Sequence, residues 1–120
     1  DGAVSRLFDE IFIPITRQYK PHLIIISAGY DSHHADQLGG LALSVNFFGE
    51  MIKRFQTIQP RIVCTLEGGY NFQWIGKCFL SQLGQMMSHP LRFDDNIKAN
   101  DEVSSIINSM KKELGAYWEL

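Results

Sequence analysis

The stretch "LIIISAGYDSHHADQLGGLALS", residues 23–44, changes character at its fifth residue. Leu23 to Ile26 follow a proline as an unbroken apolar run, the pattern expected of a strand buried on both faces. From Ser27 to about residue 43 the chain turns to Gly, Asp and His, which reads as a loop. Ser44 then offers an N-cap for a helix to about residue 58, with Val45, Phe48, Met51, Ile52 and Phe55 on one side. Pro60 ends it. The same grammar returns in "RIVCTLEGGYN", residues 61–71: a second strand, a glycine loop, and a helix over about 72–87.

Working outward, residues 3–18 place Val4, Leu7, Phe8, Ile11, Phe12 and Ile15 on one helical face, with Pro14 set to kink or shorten the helix. Residues 91–101 are polar and loop-like. A last helix is expected over 101–114, with Val103, Ile106, Ile107, Met110 and Leu114 inward. Asp101 and Glu102 would sit in its first turn, Lys111 and Lys112 in its last, and Gly115 just beyond it. Helices between strands imply a parallel sheet in an α/β fold. Two strands alone would both be edges, so more strands are expected to complete the sheet.

The bulk numbers set limits. With 120 residues the chain holds one core. Hydrophobic residues make up 45% and charged residues 20%, ordinary for a globular chain. A net charge of -2 without a basic stripe gives no reason to expect nucleic acid. No apolar run reaches the ~18 residues of a membrane span. Residues 1–10 lack the features of a signal peptide, and the chain starts without Met, as a segment of something longer would. Cys64 and Cys78 fall in different elements and form no CxxC pair. Free thiols in a reducing compartment follow, cytoplasmic with the nucleus allowed.

Ligands in open α/β sheets bind beyond the carboxyl ends of the strands. Both polar loops start there, so Asp31, His33, His34, Asp36, Glu67 and Tyr70 are expected on one rim. Singly, each has an ordinary reading. Asp31 could be a turn former, and His33 and His34 surface imidazoles. Gly68 and Gly69 could simply supply positive φ in a tight turn, leaving Tyr70 as a packing residue. Neither glycine pair has dinucleotide-loop or P-loop spacing.

Together, "LIIISAGYDSHHADQLGGLALS" and "RIVCTLEGGYN" resemble the zinc-dependent histone deacetylase superfamily, which includes acetylpolyamine amidohydrolases and acetoin-utilisation proteins. The 39-residue gap between Asp31 and Tyr70 fits the same pattern. The resemblance covers roughly residues 1–90 and leaves 91–120 as a C-terminal loop and helix, all within the C-terminal segment of one arginase/deacetylase-type α/β domain. It implies that Asp31 is a ligand of the catalytic Zn2+ and that Tyr70 hydrogen-bonds the substrate carbonyl. Leu38 would line the acyl-lysine tunnel, within Asp36-Gln37-Leu38, where Gln37 replaces the usual proline. Gly68 and Gly69 would bring the chain close to that tunnel. Glu67 resembles the class II, bacterial and archaeal branches.

The family's Asp-x-His ligand pair and its tandem histidines, general base and acid, lie upstream of the matched region. One carboxylate cannot hold a catalytic zinc, so this chain alone is expected to be inactive and to need the N-terminal part of the same domain as its partner. The substrate implied is an acetyl-lysine or an acetylated polyamine. The alternative is a truncated, metal-free module acting in protein interaction, its strand edge capped or paired with a second copy as a homo-oligomer. A third reading is an unrelated α/β ligand-binding domain. An exposed apolar edge on the 23–27 or 61–66 strand, covered only by more polypeptide, favours the first.

Overall fold

The computed structural model describes residues 1–95, 97–98 and 102–120. The elements run α1 (Gly2–Leu7), a π-helical turn (Phe8–Phe12), α2 (Ile13–Tyr19), β1 (Ile24–Ala28), a short 3-10 turn (Tyr30–Ser32), α3 (Val45–Gln56), β2 (Ile62–Leu66), α4 (Ile75–Met86) and α5 (Ser104–Leu114). The two strands pair in parallel, Ile24 opposite Ile62 through Ala28 opposite Leu66. This is the expected α/β arrangement, and α3 forms the crossover.

Strand pleating sends alternate residues to opposite faces. Ile26, Ala28 and Cys64 meet Val45 and Phe48 of α3 and Cys78 and Ile75 of α4, forming the main core. Ile52 and Phe47 of α3 are buried as well. Each such side chain contributes about 1.5–3 kcal/mol by leaving water. Gly49 of α3 lets α4 approach closely, since a Cβ there would lie 2.9 Å from the Ser81 carbonyl oxygen. The opposite face is bare: Ile25 is 66% exposed and its partner Val63 46%. Burial on both faces, the expectation for this run, is therefore corrected. Among the described residues, the main core sets α3 and α4 against the face that carries Ile26, Ala28 and Cys64.

The first helix keeps its course past Pro14 by widening one turn instead of breaking. Pro14 has no N–H to donate, and the π turn just before it absorbs the mismatch. The wider turn also rotates the apolar face, so Ile13 is buried and Phe12 is exposed, opposite to the expectation for Phe12. Ala3, Leu7, Ile11 and Ile15 pack against Val103, Ile107 and Met110 in a second, smaller core, where the length led to the expectation of one. Phe8 turns the other way, edge-on to Phe47 and Phe55 of α3. Ile106 is exposed, not inward as expected. The last helix starts at Ser104, with Glu102 ahead of it; Asp101, assigned to its first turn, lies outside the described residues. Lys111 and Lys112 occupy the last turn and Gly115 the C-cap, as the spacing predicts.

Candidate active site

Past the strand ends the two loops remain tied. Tyr30 N–H donates to the Gly68 carbonyl at 2.9 Å, and Glu67 N–H donates to the Ala28 carbonyl at 3.0 Å. This continued pairing brings Asp31 against the second loop. A Cβ on Gly68 would lie 2.7 Å from Asp31 Oδ2, and one on Gly29 would lie 2.7 Å from Oδ1. The Asp31 carboxylate thus sits half-buried in a cradle that only glycines leave room for. Among the described residues it takes no hydrogen bond. An anionic group held in place with its oxygens uncommitted fits a hard or borderline metal ion as a ligand.

Five residues on, Asp36 is buried and fully engaged. Its Oδ1 accepts the Leu38 N–H at 2.9 Å, and its Oδ2 accepts the N–H groups of Tyr70 at 2.7 Å and Asn71 at 3.0 Å. The Leu38 N–H first, and then those of Tyr70, Asn71 and Gly39, hold its carboxyl below the usual carboxylate range despite burial. In return, Asn71 Nδ2 donates to the Ala35 carbonyl at 2.6 Å. The remaining expected residues lie on the open side: Leu38 is 72% exposed and Tyr70 53%. Of the two glycines in the turn, Gly69 has positive φ (136°), while Gly68 does not and is required by space instead.

Of the adjacent histidines, His34 is exposed, as expected of a surface imidazole, and His33 is not. His33 is 1% exposed, stacked on Trp74 with ring centroids 4.8 Å apart. Its Nε2 meets Asp95 Oδ2 at 3.1 Å, and His34 Nε2 meets Asp95 Oδ1 at 2.8 Å. Burial pushes the His33 pKa down, against the pull of Asp95, and so favours a neutral ring. Its Nδ1 accepts the Ala35 N–H at 3.2 Å, which assigns the proton to Nε2 as a donor toward Asp95. Asp31, Ser32 and His33 have the Asp-x-His spacing of a ligand pair, yet this ring is committed elsewhere. His33, His34 and Asp95 present three ligand atoms within 4.8 Å of one another. In this structure those atoms are joined by hydrogen bonds.

Asp95 is the residue that sequence reasoning missed. It stands in the polar stretch after α4, with no spacing signal to single it out. Its Oδ2 also accepts the Val45 N–H at 2.7 Å, so it caps α3 from fifty residues away. Ser44 occupies the N-cap position as expected, but its hydroxyl bonds Asp1 Oδ2 at 2.5 Å instead of the helix. Burial would raise the Asp95 carboxyl, but the Val45 N–H and the two imidazoles outweigh it and hold its pKa low. Behind the site, Tyr30 OH donates to Gln82 Oε1, and burial first, with the nearby thiols of Cys64 and Cys78, pushes the phenol up to about 12. That phenol is an anchor. Cys64 and Cys78 are both free. Among the described residues, no helix is long and apolar enough to cross a membrane.

The structure is a parallel α/β unit with an uncommitted carboxylate just past the end of β1. The family model for the histone deacetylase domain matches residues 1–86, and the chain belongs to the histone deacetylase family. It is 29% identical to histone deacetylase 18 of Arabidopsis thaliana over 98% of this chain and 18% of that protein. It is 28% identical to histone deacetylase HDA1 of Saccharomyces cerevisiae over 98% of this chain and 17% of that protein. A probable deacetylase of Archaeoglobus fulgidus is 36% identical over 61% of this chain and 22% of its own length. In structure the chain superposes on the histone deacetylase Clr3 with a TM-score of 0.87 at 24% identity, covering 98% of this chain and 20% of that one. The HDA15 HD domain gives 0.78 at 19% identity, over 97% and 33%. The chain thus spans a third or less of the length of each of these proteins.

Proposed function

We propose that this segment supplies one wall of the active site of a zinc-dependent amidohydrolase, which removes acetyl groups from acetyl-lysine or acetylated amines. The carrying observation is Asp31: an uncommitted carboxylate in a glycine cradle, on the rim where both family motifs end. Asp31 would be one ligand of the ion, and the other ligands and the general base and acid would come from further polypeptide of the same domain. When bound, zinc supplies Lewis-acid polarisation and a water of lowered pKa at such a site.

The chain's own residues then have separate duties. Gly29 and Gly68 leave the room that the Asp31 carboxylate occupies. Tyr70, on the loop after β2, would donate its phenolic proton in a hydrogen bond to the oxyanion that develops on the acetyl carbonyl. Leu38, Gly68 and Gly69 would shape the passage for the acyl-lysine chain. The bare apolar face around Ile25 and Val63 supports a sheet that further polypeptide covers. Two free cysteines support a reducing compartment, the cytoplasm or the nucleus.

Tyr70→Phe in the intact protein tests the reading. Deacetylation of an acetyl-lysine peptide should fall by at least about 10²-fold, with zinc content unchanged. Full activity in that variant would remove the proposed role.

A further inference from the structure

Tyr70 is more than half exposed, so side-chain packing alone does little to fix where its hydroxyl points. What restrains it is its backbone. The Tyr70 N–H and the Asn71 N–H both end on one oxygen of Asp36, and the other oxygen takes the N–H of Leu38. Asn71 closes the loop pair from the opposite side through the Ala35 carbonyl. One buried carboxylate therefore touches the backbone of two residues assigned to the reaction, on two different loops.

We propose that Asp36 is a positioning residue: it sets the Tyr70 backbone against the Asp31 loop, and so aims the phenol, without touching substrate or metal. This rests on the function proposed for Tyr70. The chemistry demands a carboxylate here. Every group that Asp36 meets in these bonds is an N–H donor, and an ionised carboxyl is acceptor-only on both oxygens. Asparagine has the same shape but turns an NH2 donor toward one of those N–H groups. Asp36→Asn thus breaks the pattern with little change in volume.

The test is a double-mutant cycle in the intact, zinc-loaded protein, with kcat and KM measured on an acetyl-lysine peptide. Asp36→Asn should lower kcat on the order of 10-fold, leaving KM and zinc content unchanged. In a Tyr70→Phe background the same substitution should cost nothing more, because its effect passes through the missing hydroxyl. Equal losses in both backgrounds would overturn the proposal while leaving Tyr70 in place, as would a loss confined to KM. A fully active Tyr70→Phe would instead remove both readings.

Amide exchange on the unaltered protein is a second test that no folding failure can confuse. The Tyr70 and Asn71 amides should exchange slowly although the loop is exposed. Exchange at the rate of a free loop amide would show that Asp36 does not hold them.

Discussion

Asp31 and Asp36 share one loop and one residue type, yet the fold treats them in opposite ways. Asp36 is saturated, with backbone N–H groups of Leu38, Tyr70 and Asn71 on its two oxygens. Asp31 is cradled by Gly29 and Gly68 with both oxygens uncommitted. Asp95, the third carboxylate of this end of the molecule, follows Asp36: it bonds His33, His34 and the start of α3. Buried carboxylates are costly unless paired. Asp31 is only half-buried, and its open oxygens are what the ligand role proposed for it requires. The difference separates frame from site more sharply than charge or exposure does.

Breaking the frame should have the largest effect on stability. Asp95→Ala leaves the buried Val45 N–H and the His33 Nε2–H without an acceptor. A loss of about 3 kcal/mol is expected, read as a lower denaturant midpoint with an unchanged slope. A shift under about 0.5 kcal/mol would mean that the clamp is ornamental.

A more selective break is Gly68→Ala. Its φ is not in the left-handed region, so the cost falls on the neighbour: the new Cβ would press within 2.7 Å of Asp31 Oδ2. Zinc affinity in the intact protein should drop about 10–100-fold, the usual range for disturbing a ligand's support. Gly40→Ala is the matched control, because a Cβ there meets nothing within 4 Å. An equal affinity loss at both positions would dissolve the cradle.

Acid gives the smallest effect and sharpens the same contrast. The folded-state pKa values of Asp36 and Asp95 lie below the ordinary value of 3.8, so the unfolded chain binds protons first as pH falls. Their stabilisation is complete above that value and is lost as pH drops through the lower, folded-state values. A stability profile flat across pH 2–4 (about the range for carboxylates) would contradict both clamps.

Much of this was legible in the sequence, and the reason is local. The unbroken Leu23–Ile26 run, the glycine loop and the helix after Ser44 each state their own conformation within a few residues. The Asp31 and Tyr70 loops follow from where strands end. What could not be read depends on distance in sequence. Asp95 caps α3 across fifty residues, and nothing in its own surroundings marks it. The π turn before Pro14 moved Phe12 outward and Ile13 inward, a rotation that a fixed helical period cannot anticipate. The runs of β1 and β2 read as doubly buried, although here only one face of the sheet is covered. His33 looked solvated because polar loops usually are; its partners were Trp74 and Asp95, both remote.

The most direct measurement is zinc stoichiometry of the intact protein with Asp31 intact and with Asp31→Ala, alongside circular dichroism to confirm that both are folded. The uncommitted carboxylate predicts stoichiometric zinc in the first and its loss in the second. Stoichiometric zinc retained by folded Asp31→Ala would show that the open oxygens of Asp31 serve no metal.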